Sequence, residues 1–249
     1  MRKNDRRPRR PHFPSGPVSS AASPTPRALF REGCALPVLL ETPRFLILNK
    51  PAGLAVHPGP STRDSVETRL VPHPRGGPWL AHRLDADTAG CLLIARRKTA
   101  LLEAQDAFRH RRTHKLYWAV VVGNPPEDSG SITGPLLKRS DRNGWRMVVD
   151  ANGDNARTDW RVLGRKDGLC WLELDLLTGR THQARAHCAA ALGTPILGDP
   201  VYGTSCPAGL HLLARRLEVT VPESVLAAEA SPSPAMAATL KDFGWDSQF

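Results

Sequence analysis

The stretch Ala81–Ala95, AHRLDADTAGCLLIA, constrains this chain more than any other. Cys91-Leu92-Leu93-Ile94-Ala95 is an unbroken apolar run and reads as a buried strand. Just before it come His82, Arg83, Asp85, Thr88 and Gly90, a polar turn that feeds the strand. Such a turn holds its side chains rigidly, which suits a catalytic group. Taken alone, Asp85 or Asp87 is better explained as an Asx-type turn residue, with Gly90 supplying an unusual backbone angle. The rest of the chain must decide between the two.

At 249 residues the chain suits one large domain, or one domain with tails, and can bury a substantial core. A net charge of +10 and a pI near 10.0 point to a polyanionic partner, nucleic acid first. An anionic membrane surface would call for a basic amphipathic helix, and none stands out. No apolar run reaches the length of a membrane span. The five cysteines (34, 91, 170, 188 and 206) are scattered and include no C-x-x-C pair. Cys91, Cys170 and Cys188 read as buried small hydrophobes, and the set as a whole fits a reducing cytoplasm rather than a disulfide framework. His182, His187 and Cys188 lack a second ligand pair at metal-binding spacing, so no metal is expected.

Residues 1–33 read as a basic, Pro/Ser-rich disordered tail, and residues 34–249 as the folded domain. The first ten residues carry six Lys or Arg against Asp5 and could hold RNA phosphates without sequence preference. No apolar segment follows them, which disfavours an export signal; an Arg- and Ser-rich organellar transit peptide is a partial fit. Strands are expected at 44–49, resuming at 54–57, and at 91–95, 115–122, 169–177 and 211–221, with a strand-and-turn at 79–85 and a hairpin turn at 141–144. Helices are expected at 98–112, at about 182–192 with Thr181 as N-cap, and at 234–243. Strands outnumber helices and do not alternate with them. The expected class is therefore α+β, a mixed and largely antiparallel sheet flanked by helices.

Three segments then line up: Lys50-Pro-Ala-Gly-Leu-Ala-Val-His57; His82-Arg-Leu-Asp85 with Thr88 and Gly90; and Thr178-Gly-Arg-Thr-His-Gln183. The last continues through Ala184-Arg185-Ala186-His187 to Gly198-Asp199-Pro200-Val201-Tyr202-Gly203. Together they closely resemble the RluA-type pseudouridine synthases, over about residues 40–220. Ala89, Cys91 and Ala184 depart from the usual Ser, Leu and Ile, and none of these changes removes a polar group that the chemistry needs. Many relatives carry an N-terminal S4 domain, and the first 33 residues are too few and too polar for one. The resemblance is thus to the short form, which leaves the choice of target RNA open.

The resemblance implies an isomerase that breaks the N1–C1′ bond of uridine, turns the base and joins C5 to C1′ in structured RNA, ribosomal or transfer. The reaction needs neither oxidant nor water, so no cofactor is expected. It makes Asp85 the catalytic carboxylate, acting as nucleophile or base. A carboxylate that must stay charged in a dry pocket needs a guanidinium beside it, and the resemblance puts Arg180 there. Tyr117 takes the place of the family's active-site tyrosine, stacking on the detached uracil. The target must be flipped from its stack, and Arg83 is expected to fill the gap. Further substrate-binding positions are His82 (chiefly structural), Thr88, Lys115, and Leu177 and Leu213 as pocket walls. The protein is expected to be a monomer, off the membrane and cytoplasmic. The competing readings are a non-catalytic RNA-binding or ribosome-assembly protein on the same fold, and a glycoside hydrolase using Asp85 with Asp87. The first has no need of Asp85, Tyr117 and Arg180 together, and the second fits the basic charge poorly.

Overall fold

The computed structural model describes residues 29–60, 62–74, 76–142 and 144–246. Most of the expected tail lies outside these residues. Ahead of the expected boundary at 34, Phe30 is buried and bridges to Leu70.

In chain order the elements are β1 (Val38–Glu41), β2 (Phe45–Lys50), α1 (Val66–Arg69), β3 (Trp79–Leu80), β4 (Ala89–Ala95), α2 (Lys98–Arg109), β5 (Thr113–Val122), β6 (Ser129–Thr133), β7 (Leu136–Asp141), β8 (Gly144–Val149), β9 (Arg157–Lys166), β10 (Leu169–Leu176), α3 (Gln183–Ala190), β11 (Leu212–Val221), β12 (Ser224–Glu229) and α4 (Pro234–Lys241). The main sheet runs β1-β2-β4-β11-β5-β10-β9-β6, with β3 added to β4 and β12 to β11. Among the strands of the described residues, only β4 and β11 pair in parallel. The fold is therefore the mixed, largely antiparallel α+β sheet expected. Local chemistry builds much of it. Asp167-Gly168 joins β9 to β10 with both φ angles positive, the demand of a two-residue hairpin. The turn at Asp141–Gly144 closes the separate hairpin β7–β8.

β4 explains its own apolar run. Cys91, Leu93 and Ala95 face one core with Ala100, Leu101, Ala104 and Ala107 of α2. Leu92 and Ile94 alternate into a second core with Leu46, Leu48, Leu54 and Val66. A strand covered on both faces has no position for a polar side chain. A third core lies under α3, where Ala184 and Cys188 meet Leu172, Leu174 and Ala119.

Two expectations need correction. α2 stops at Arg109 rather than Arg112, because Arg111 adopts a left-handed conformation (φ 56°). α3 is not capped by Thr181. The chain enters it through His182 at φ 51°, with no side-chain cap on the helix. The turn before α3 is tied down by Gln183, which is 2% exposed. Its side-chain oxygen accepts from Arg180 N–H (3.1 Å) and Thr178 Oγ1 (2.6 Å). Its amide donates to Arg157 C=O (2.9 Å) and Thr158 Oγ1 (3.0 Å).

Candidate active site

A cleft of about 600 Å3 opens where the β3–β4 loop, the end of α2, β5 and the start of α3 meet. Asp85 stands in its wall on the β3–β4 loop, and the backbone there is fixed from several sides. Gly90 has φ 115°, and a Cβ on it would lie 2.3 Å from Ala214 C=O, where β4 runs beside β11. Thr88 N–H donates to Asp85 C=O at 3.1 Å. Lys50 is fully buried and donates from Nζ to the carbonyls of Pro51 (2.8 Å), Leu54 (2.7 Å) and Ala86 (2.8 Å). Gly53 N–H reaches Ala86 C=O as well, at 2.9 Å. One ammonium thus locks the Lys50–Gly53 turn to the Asp85 loop. Burial pulls that ammonium down to about 8, against the attraction of Asp87 and Asp85. The two segments occur together in the sequence because they are one structure.

The side chains facing Asp85 are those of Arg185 and His182. Arg185 Nη1 and His182 Nε2 each lie 3.8 Å from Asp85 Oδ2. Arg185 is held from behind by a fork to Asp199: Nε to Oδ2 at 2.8 Å and Nη2 to Oδ1 at 2.7 Å. Asp199 also accepts from Val201 and Tyr202 N–H groups. Burial alone would raise its carboxyl, but the Arg185 hydrogen bonds and charge, with these amides, hold it below the ordinary carboxylate range. His182 Nδ1 meets the Tyr202 hydroxyl at 3.1 Å, and that hydroxyl accepts from Met147 N–H at 2.8 Å. The His182 ring stacks on Trp145, with centroids 4.7 Å apart. Burial holds the imidazole below its usual value against the pull of Asp85.

Arg180 is the main correction. It does not reach Asp85. Its Nε donates to Asn155 C=O at 3.1 Å, and Nη1 lies 3.5 Å from Asp154 at the exposed rim. The Gly179-Arg180 turn faces solvent, whereas the first turn of α3 carries Arg185 inward. Leu213 is also misplaced by the sequence reading. It is fully buried on the α2 face, and its neighbour Leu212 faces the cleft, because successive strand residues point to opposite faces. Leu177 does line the cleft, with Leu176 beside it.

The remaining expected positions lie around the cleft. Tyr117 faces it from β5; burial first, and the Asp85 charge next, push its phenol up, so it stays protonated. Lys115 lies two residues earlier on the same face, with Nζ donating to Thr178 C=O at 2.7 Å. Arg83 is exposed at the mouth. Thr88 is 2% exposed, and among the described residues its Oγ1 has no hydrogen-bond partner. His82 is structural: Nε2 accepts from Leu93 N–H at 2.9 Å, and its ring packs on Phe108. Burial, with the Lys115 charge behind it, lowers its pKa to about 4.

The sequence reading missed Arg185 as the partner of Asp85, along with Asp199, His182, Tyr202 and Lys50. One signal was available. Arg185 sits among alanines in an apolar helix, where a cation needs a buried partner, and Asp199 is the only acid between 176 and 217.

The model of the RNA pseudouridylate synthase family matches residues 44–190, a span that holds Asp85, Tyr117 and Arg185. The chain belongs to this family. The family's reaction is the isomerisation of uridine in RNA, and its members are isomerases. An RNA pseudouridine synthase of Zymomonas mobilis is 42% identical over 174 residues, 67% of this chain and 78% of that protein. The ribosomal large subunit pseudouridine synthase D of Nitrosomonas europaea is 37% identical over 184 residues, and the match covers 71% of this chain but only 52% of that relative. Among solved structures, human RNA pseudouridylate synthase domain containing 4 superposes with a TM-score of 0.69 at 26% identity, covering 84% of this chain and 93% of that one.

Proposed function

We propose that this chain converts uridine to pseudouridine in structured RNA, that ribosomal RNA is its substrate, and that Asp85 acts directly on the target nucleotide. The observation that carries the reading is the convergence, in one cleft, of an Asp85 carboxylate, a buried guanidinium 3.8 Å away and the protonated Tyr117. An ionised carboxylate can attack C1′ or take a proton from the sugar on the way to a glycal. Arg185, immobilised by Asp199, keeps a positive charge facing that carboxylate in a partly desolvated site. Tyr117 offers its ring to the detached uracil, so the base can turn without leaving. The uridine reaches Asp85 only when flipped, and Arg83 at the mouth fills the vacated stack. The name of the Nitrosomonas relative supports ribosomal RNA. All five cysteines are free, which favours a reducing compartment; we place the protein in the cytoplasm, acting as a monomer.

The test is to incubate unmodified large-subunit ribosomal RNA and transfer RNA transcripts with the protein and map pseudouridine. New sites in ribosomal RNA are expected with the wild type and none with Asp85→Asn, which should still bind RNA. Sites in transfer RNA alone would overturn the substrate assignment. Sites in neither would overturn the activity.

A further inference from the structure

The cleft has a second end, away from Asp85. After α2, Arg112 N–H donates to Ala107 C=O at 2.8 Å and Arg111 N–H to Phe108 C=O at 3.3 Å, the two bonds of a Schellman motif. The left-handed position of that motif falls on Arg111 at φ 56°, where glycine is favoured because it has no Cβ to crowd. Strained backbone of this kind concentrates at functional sites. Arg111 lines the cleft, and so do Lys115, Gly179 and Arg180. The Lys115 ammonium is aimed by its bond to Thr178 C=O. Among the described residues no carboxylate pairs with Arg111 or Lys115, and Asp175, whose charge reaches Lys115, is engaged by His114 at 3.0 Å. Burial brings Lys115 down to about 8, and Arg111 and Arg180 push it the same way against Asp175. Cations gathered like this repel one another until an anion enters.

The spacing indicates which anion. Lys115 and Tyr117 share one face of β5 and stand about 7 Å apart along the strand. Lys115 and Arg111 line the same cleft as Tyr117, the ring proposed above to hold the uracil. We propose that Arg111, Lys115 and Arg180 form a subsite for one phosphodiester flanking the flipped uridine. The proposal rests on the RNA reading above and adds the groups that hold the backbone of the target nucleotide. It also gives Arg180 a task at the rim.

The probe is a synthetic RNA hairpin with a single loop uridine, made as a series in which one linkage at a time is an uncharged methylphosphonate. Binding to the full chain is followed by fluorescence anisotropy across a range of salt. Arg111→Gly and Lys115→Met are each expected to bind about tenfold more weakly, with a salt slope smaller by about one. One linkage beside the uridine should weaken wild-type binding by a similar factor and add little to either variant. Arg111→Gly should melt no lower than the wild type, since glycine relieves the left-handed residue, so its weaker binding is not unfolding. Wild-type affinity in both variants, or penalties that multiply at every linkage, would overturn the subsite. Pseudouridine formation by the wild type is scored separately. Its absence refutes the proposed activity, while the binding data still decide the subsite.

Discussion

Replacing Arg185 by Met keeps most of the side-chain volume and removes the charge. Two effects follow. Asp199, fully buried, is left with only the Val201 and Tyr202 amides, and an uncompensated buried carboxylate costs about 3–5 kcal/mol. For a chain of this size that lowers the melting temperature by roughly 10 °C. Asp85 also loses a unit charge at 3.8 Å, an interaction of about 4 kcal/mol at an effective dielectric constant near 20. If most of it operates in the transition state, kcat falls by roughly 10²- to 10³-fold. The double variant Arg185→Met/Asp199→Asn separates the two. Asparagine retains an oxygen for the two amides and carries no charge, so much of the stability should return while kcat stays low. The assay is tritium release from RNA labelled at uridine C5, beside thermal melting. Recovery of turnover in the double variant would refute the assignment of Arg185.

Three further outcomes are expected. His82 has a pKa of about 4 in the folded chain against about 6.5 when unfolded, so the unfolded chain takes up its proton first. Stability is therefore complete above about pH 6.5 and declines toward pH 4 by up to about 3 kcal/mol. His82→Gln, which can still accept from Leu93 N–H, should flatten denaturant midpoints across that window, and an unchanged pH slope would exclude His82 as the source. Thr88→Val removes a buried hydroxyl that has no partner among the described residues, at nearly constant shape, so the unfolding free energy should rise by about 1 kcal/mol; a loss of stability would show that the hydroxyl already has a partner. Lys50→Met strands three carbonyl acceptors and should cost about 3 kcal/mol, with a fall in kcat as the Asp85 loop loosens. Wild-type melting and turnover together would mean that the lysine tie is dispensable.

The parts of the fold legible in the sequence were those where one local rule dominates. β4 is an apolar run, α2 has an apolar face, and the Asp141–Gly144 turn carries hairpin residues. β1 was not legible, because its residues are only half-buried and show no clean alternation. Leu54–His57 read as a resumed strand, yet its main-chain partners are a single bridge from Ala55 to Ser65, amide donors from α1 and the Lys50 ammonium. The strand order was out of reach for a different reason. The parallel contact of β4 with β11 is only two residue pairs long and depends on Gly90 letting Ala214 approach. No pattern within either strand encodes that approach.

The site shows where motif reading and physics separate. The resemblance singles out Arg180, but it sits in a Gly-Arg turn, and a turn residue is free to face solvent. Arg185 is inconspicuous among alanines, and that setting makes its partner obligatory. A guanidinium that is 2% exposed must be forked to a carboxylate, and Asp199 takes Nε and Nη2. Only Nη1 then remains to face Asp85, at 3.8 Å rather than at hydrogen-bond length. One guanidinium thus serves two carboxylates in different ways. Asp199 fixes its position and carries the cost of burying it. Asp85 feels its charge without being held in a fork, so its oxygens stay free to move onto the nucleotide. For the role proposed for Asp85, a closer pair would be a better salt bridge and a poorer nucleophile or base.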